Sequence, residues 1–246
     1  MGYVGRGTNT QVLSDHTGGT LPNFQTISST GAITQIKPQI FTSSGTYTPT
    51  IGMKYIQCIC VGGGGGGGGT ANAAASTLTT GGCGGGRTTS YIILSAASIG
   101  ASQAVTIGAG GTAGASGNNA GGNGGTTSLG ILCTAPGGSG GPGSAGSGAV
   151  TGGAGGIAGV GDFSMPGQNG GSVNQTSTIN FVPDGGNSLF GFGGQNDWVH
   201  PSPNAGFPGK NYGGGACGGG SFNGNGAAAG AVGAPGIVII TEYIST

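Results

Sequence analysis

The chain has 246 residues, 66 of them glycine, and its five basic and five acidic side chains cancel to a formal net charge of zero. Glycine stands at roughly four times its average usage while proline stays near average, which excludes a continuous collagen triple helix. Zero net charge removes the electrostatic basis of nucleic-acid binding, and a slightly positive mean hydropathy argues against a disordered chain.

Residues 1–37 are rich in Thr, Ser, Asn and Gln and form a polar, extended lead-in, a fibre or attachment segment without its own core. The opening Met1-Gly2-Tyr3-Val4-Gly5-Arg6 lacks the basic-then-apolar build of a signal peptide, and Arg6 occupies the Ser/Thr position of a myristoylation motif, so the chain is expected to stay out of the secretory route. Residues 38–61 read as a β block. Gln39-Ile40-Phe41-Thr42 leads into a turn at Ser43-Ser44-Gly45, then come Thr46-Tyr47-Thr48-Pro49, a second turn at Ile51-Gly52, and the apolar strand 54–61. Eight consecutive glycines follow Val61. Further strand-like runs cover Thr88 to Leu94, Ala104 to Ile107, Thr126 to Thr134 and Gly236 to Tyr243. No segment carries helical periodicity over ten residues, and the longest apolar run, Ile237-Val238-Ile239-Ile240, is far short of the roughly 18 residues of a membrane-spanning helix.

Between these runs glycine recurs at every third position: 108, 111, 114 and 117; 121 and 124; 137, 140, 143 and 146; 153, 156 and 159. A helix of three residues per turn, the polyproline II form, aligns such glycines along one edge. Bare edges let main chains approach, and their N–H and C=O groups can then bond laterally to neighbouring helices. Flexible linkers are the other reading of glycine-rich sequence, but linkers do not normally alternate with apolar strands. The predicted fold is therefore all-β: a jelly-roll-like β-sandwich with an inserted polyglycine II helix bundle and no significant α-helix.

Cys58, Cys60, Cys83, Cys133 and Cys217 are odd in number and irregularly spaced, with neither Cys-x-x-Cys nor paired His. They point to no zinc site and no disulfide framework, and are expected to serve as reduced, small apolar residues. Enzyme motifs are weak. Gly-x-Gly-x-x-Gly arises by chance at this glycine content, and Gly209-Lys210-Asn211 lacks the residues of a P-loop. Asp15, Asp162, Asp184, Asp197 and Glu242 are dispersed, and no nucleophile elbow accompanies Asp197 and His200. No catalytic residue, metal or cofactor is expected.

Phe41 to Pro49, Val61 running into Gly62 to Gly69, Val105-Thr106-Ile107-Gly108-Ala109-Gly110-Gly111, Gly121 to Gly130, Ala135-Pro136-Gly137-Gly138 and Pro235 to Ile240 occur in an order that resembles the glycine-rich domain of bacteriophage tail fibres. Upstream, Gly7 to Ser14 with Leu21 to Gln25 is similar to a motif of fibre shafts. The resemblance implies a homotrimeric adhesin of the virion at the distal tail fibre, attached to other tail fibre proteins. Its partner would be a receptor on the host bacterial surface, either an outer-membrane protein or a polysaccharide. Neither nucleic acid binding nor membrane insertion is expected. On that reading residues 1–37 attach the fibre and 38–246 recognise the receptor.

The candidate contacts come from loop composition in 162–212, where the glycine pattern breaks and prolines stiffen segments bearing aromatics, Asn and charge. They are Phe163 and Met165, Asn180 and Phe181, and Asp197, Trp198, His200, Asn204, Phe207, Lys210 and Tyr212. Phe190 and Phe192, set among glycines, are expected to face the core. A purely structural fibre component without receptor binding is the alternative, and an ice-binding glycine bundle is a further one that the irregular insertions disfavour.

Overall fold

The structure, a computed structural model, describes residues 33–146, 148–174, 183–195 and 203–245. Its elements in chain order are β1 (Gln35–Phe41), β2 (Gly45–Tyr47), β3 (Met53–Val61), β4 (Leu78–Thr80), β5 (Thr89–Ser95), α1 (Ala96–Ile99), β6 (Gln103–Thr106), β7 (Thr127–Leu129), β8 (Cys133–Ala135), β9 (Ala149–Val150), β10 (Phe163–Met165), β11 (Val173–Asn174), β12 (Gly220–Phe222) and β13 (Ile237–Ile244). The all-β expectation holds. The helix α1 is a single turn, started by Ser95, whose hydroxyl accepts from the Ser98 N–H. Among the described residues no helix is long and apolar enough to cross a membrane.

Two antiparallel sheets form the sandwich, one in the order β1-β13-β3-β5-β10 and the other β2-β6-β7-β8. The period-two alternation of β3 explains its central place: Ile56, Cys58 and Cys60 are buried on the inner face while Tyr55, Gln57 and Ile59 alternate outward. Val238, Ile240 and Ile244 of β13 and Leu94 of β5 join that inner face and meet Tyr47, Val105, Leu129, Cys133 and Ala135 of the other sheet. Each such large side chain, fully buried, stabilises by about 1.5–3 kcal/mol. The run Thr126 to Thr134 is not one strand but the hairpin β7–β8, because Gly130 turns the chain at φ +53°. β1 starts at Gln35, so residues 35–37 belong to the sandwich and not to the lead-in.

Among the described residues one acid sits inside. Glu242 is fully buried on β13, and its carboxylate accepts from the Tyr47 hydroxyl (2.8 Å), the Thr50 N–H (2.9 Å) and the Thr50 hydroxyl (2.6 Å). Lys37, in register with Glu242 across the β1–β13 pair, reaches the same Thr50 hydroxyl at 2.9 Å. Burial alone raises this carboxyl's pKa, but the bonds from Thr50 and Tyr47 outweigh it and hold it below the ordinary value.

The glycine segments leave the sandwich between strands and pack beside it as a bundle. Gly62–Gly69 is its axis. Gly63, Gly66 and Gly69 donate to the carbonyls of Gly125, Gly122 and Asn119; Gly64, Gly67 and Thr70 donate to Ala234, Ala231 and Ala228; Gly65 and Gly68 donate to Gly85 and Gly82, all at 2.8–2.9 Å. In the other direction Gly138, Gly141 and Ser144 donate to Gly63, Gly66 and Gly69, Gly111, Gly114 and Gly117 to Gly64, Gly67 and Thr70, and Ala216 and Gly219 to Gly65 and Gly68. Partner numbers fall along the first three neighbours, which are antiparallel to the axis, and rise along the other three, which are parallel. A three-residue turn thus points successive backbone groups at six surrounding chains in rotation, and the main-chain accounting closes without ladder strands.

This packing tolerates no side chain. A Cβ at any of the eight axial glycines would lie between 1.8 Å (Gly67) and 2.5 Å (Gly62) from a backbone carbonyl oxygen. A second hub repeats the pattern: Gly81 and Gly84 donate to Gly219 and Ala216, and Gly82 and Gly85 to Pro142 and Ser139. Of the period-three glycines, Gly111, Gly114 and Gly117 donate to the axis, Gly121 and Gly124 to Gly141 and Gly138, and Gly153 and Gly156 to Cys83 and Gly86.

Candidate functional site

Residues 203–210 form an outer helix of the bundle. Gly206 and Gly209, three apart, donate to Ala229 (2.9 Å) and Val232 (3.1 Å), Phe207 accepts from Cys217 (2.9 Å), and Asn204 exchanges two bonds with Gly220 (2.8 and 2.9 Å). Because the helix repeats every three residues, Asn204, Phe207 and Lys210 recur on one edge, away from the inward Gly206 and Gly209. Phe207 and Lys210 are exposed and Asn204 half-buried. Four of the sequence candidates therefore lie together: these three and Tyr212, half-buried at the end of the helix.

The neighbouring helix adds a residue that sequence reasoning placed elsewhere. Lys210 donates its N–H to the Phe192 carbonyl (2.9 Å), and Phe192 is 63% exposed. The expectation of a core-facing Phe192 is overturned: buried Gly191 and Gly193 on either side turn inward, so the side chain between them points out. Leu189 and Val232 are also exposed on these segments, and together with Phe207 they make an apolar flank bearing one lysine.

Tyr212 is tied down by charge and by shape. Its carbonyl accepts from the Ser188 hydroxyl (2.8 Å) and from Arg87 Nη2 (3.4 Å). Arg87 is fully buried, donates a second bond from Nη1 to the Thr88 carbonyl (2.8 Å), and leaves Nε without a hydrogen-bond partner. Desolvation pulls its pKa well down. The guanidinium lies so close over Gly213 that a Cβ there would be 1.8 Å from Nε, and Gly213 has φ +75°, so glycine is required twice. Nothing in the sequence separates Arg87 from the other basic residues.

Phe163 and Met165 are not on a loop tip. They lie on β10, paired with Tyr91 and Thr89 at the edge of the five-stranded sheet, remote in sequence from the strand that orders them. Phe163 is exposed there, on the sheet's outer face. Asn180, Phe181, Asp197, Trp198 and His200 lie outside the described residues.

All five cysteines are free and buried, as the small-residue reading expects. What spacing could not show is that the fold carries Cys133 of β8 to Cys58 and Cys60 of β3, all three Sγ atoms within 4.8 Å of one another across the sandwich. Cys58 and Cys60 are 3.8 Å apart, and their hydrogen bonding with Cys133, together with burial, pushes both thiols up. Three sulfurs with no fourth ligand residue in the group fall short of a structural zinc set. Cys83 directs its thiol to the Pro183 carbonyl (2.9 Å) and Cys217 to the Gly194 carbonyl (2.6 Å), with Pro183 O at 3.5 Å from the Cys217 sulfur. Of the carboxylates, Glu242 is engaged in the core and Asp162 accepts from the Ile93 N–H (2.9 Å).

A β-sandwich carrying a laterally bonded glycine-helix bundle, with an apolar flank held on rigid main chain, defines a glycine-rich all-β module. A glycine-rich domain model matches residues 42–243, most of the chain. The protein belongs to that glycine-rich domain family. No curated protein matches it.

Proposed function

We propose that this chain is the recognition module of a bacteriophage tail fibre tip, carried by the virion and binding a host surface receptor without covalent chemistry. The observation that supports the reading most is the bundle flank, where Phe192, Phe207 and Lys210 project from helices whose backbones are fixed on both sides. Rigid aromatic anchors lose little entropy on contact, and a lysine adds attraction to an anionic or carbonyl-rich surface. Trp198 and His200 belong to the same reading through their place between Gln195 and Pro203. The lead-in, read from the sequence as residues 1–37, would serve attachment to other fibre proteins, and copies of the chain would assemble, as a trimer in the implied fibre.

The test is binding of fluorescently labelled full chain to a panel of bacterial strains, and to mutants lacking single outer-membrane proteins or the surface polysaccharide. A triple variant Phe192→Ala, Phe207→Ala and Lys210→Ala is expected to lose at least tenfold in cell binding while keeping its circular dichroism and melting temperature. A triple Trp198→Ala, His200→Ala and Phe207→Ala variant probes the neighbouring segment. Unchanged binding by both variants overturns the assignment of the flank, and no binding of the parent chain to any strain favours a purely structural fibre component.

A further inference from the structure

The outer face of the five-stranded sheet reaches solvent: Ile36, Ile40, Ile93 and Phe163 are exposed on it, and Tyr55, Ile59, Ile239 and Tyr243 on the central strands are half-buried. Its register lines up residues in rows: Ile36–Tyr243–Tyr55–Ser95, then Pro38–Thr241–Gln57–Ile93, then Ile40–Ile239–Ile59–Tyr91–Phe163. No position in the three rows is charged, and the last is apolar or aromatic across every strand of the sheet. Ile36 is 59% exposed, Ile40 62%, Ile93 50% and Phe163 55%. Tyr55 and Tyr243 stack at 4.4 Å, a preformed aromatic plate in the first row. One step further, Ile237, Val61 and Thr89 are buried, so the fold does cover this face at the bundle end and stops there.

We infer that this face packs against a second copy of the chain. Four strands about 4.8 Å apart with about five residues along each, plus Phe163 on the fifth, give a flat footprint of about 20 by 17 Å, or about 350 Å². That is a large patch for a monomer, and two such faces bury about 700 Å² before the relief of the side chains is counted, approaching the roughly 1,000 Å² at which a specific interface begins. An uncharged face with its polar groups, Thr241 and Gln57, confined to the middle row is self-complementary: it presents no charge for a partner of opposite sign to read. The sheet's edges are closed to the other mode of association. Pro38 interrupts donors on β1, Pro166 follows β10, and the Asp162 carboxylate occupies the Ile93 N–H beyond the end of β10. Contact is therefore face to face. The inference is independent of the receptor reading, because the flank lies on the bundle and not on this sheet.

Sedimentation equilibrium of the full chain between 1 and 100 µM is the test, with Ile40→Lys and Ile93→Lys introduced together at positions half or more exposed. The parent is expected at twice the mass of the variant, with the same circular dichroism. A mass that the two substitutions leave unchanged overturns the inference. So does a monomer, and radical footprinting then assigns the face: protection of Tyr91 and Phe163 places another segment of the same chain on it, and labelling leaves it for a different protein. Cell binding by the variant monomer, measured alongside, separates this inference from the proposed function.

Discussion

Replacing Gly67 by alanine tests the bundle at its tightest point. The new Cβ would lie 1.8 Å from the Cys217 carbonyl oxygen and 2.3 Å from its carbon. Carbon and oxygen not bonded to one another rest at about 3.3 Å, so the helix 213–219 must retreat by about 1.5 Å. The bonds from Ala216 to Gly65 and from Gly219 to Gly68, both 2.9 Å, then stretch past bonding distance. Two lost bonds that leave buried groups unsatisfied cost about 2–3 kcal/mol each, and alanine's smaller entropy in the unfolded chain returns only about 0.4–1 kcal/mol. The expected net loss is about 4–5 kcal/mol, a large part of the 5–15 kcal/mol typical of a folded chain. Thermal melting by circular dichroism should show a drop of about 10–20 °C. Gly45→Ala is the control, since its Cβ meets nothing within 4 Å. A Gly67→Ala variant that melts within 2 °C of Gly45→Ala would refute the lateral packing on which the fold is built.

Two further outcomes follow from buried groups. Glu242 has its folded pKa held down, so its contribution is present above the unfolded value of about 4.3 and is lost as pH falls through the lower folded one. Glu242→Gln should be less stable than the parent at pH 7 by about 1–3 kcal/mol, because an amide cannot accept all three donors, and urea titrations should show the gap closing as pH drops below about 4; a constant gap would discount the carboxylate's charge. The five buried thiols should be silent to an aqueous thiol reagent in the folded protein and all react in denaturant. Rapid native labelling of any of Cys58, Cys60 or Cys133 would contradict a closed sandwich.

What the sequence disclosed was whatever depends on local period. Glycine every third residue implied the threefold helix, and the run of strand-forming residues in 54–61 implied a strand, because both are properties of neighbouring positions. Contacts that join distant segments were hidden. Phe163 and Met165 looked like loop residues because the strand that orders them, β5, lies some seventy residues away. Cys133 gave no sign of meeting Cys58 and Cys60, since only the hairpin turn at Gly130 and the stacking of two sheets carries it there. Glu242 and Arg87 read as ordinary charges in a chain with few of them, yet both are fully buried, and the groups that make this tolerable, the donors Tyr47 and Thr50 for Glu242 and the carbonyls of Thr88 and Tyr212 for Arg87, are mostly remote.

Phe192 shows why composition misled where geometry decides. A phenylalanine between glycines suggested a core residue, on the premise that large apolar groups are drawn inward. In this bundle the interior is filled by main chain, with no room beside Gly191 or Gly193 for even a methyl group: a Cβ at those positions would meet carbonyl oxygens at 2.4 and 1.9 Å. The usual order is inverted, with glycine inside and aromatics outside, and the hydrophobic effect no longer selects which residues are buried in this layer. Lateral hydrogen bonds select them instead, by admitting only residues without side chains. Exposed Phe192, Phe207, Leu189 and Val232 are then a consequence of the architecture, and a scaffold of this kind displays apolar anchors at little cost to its own packing.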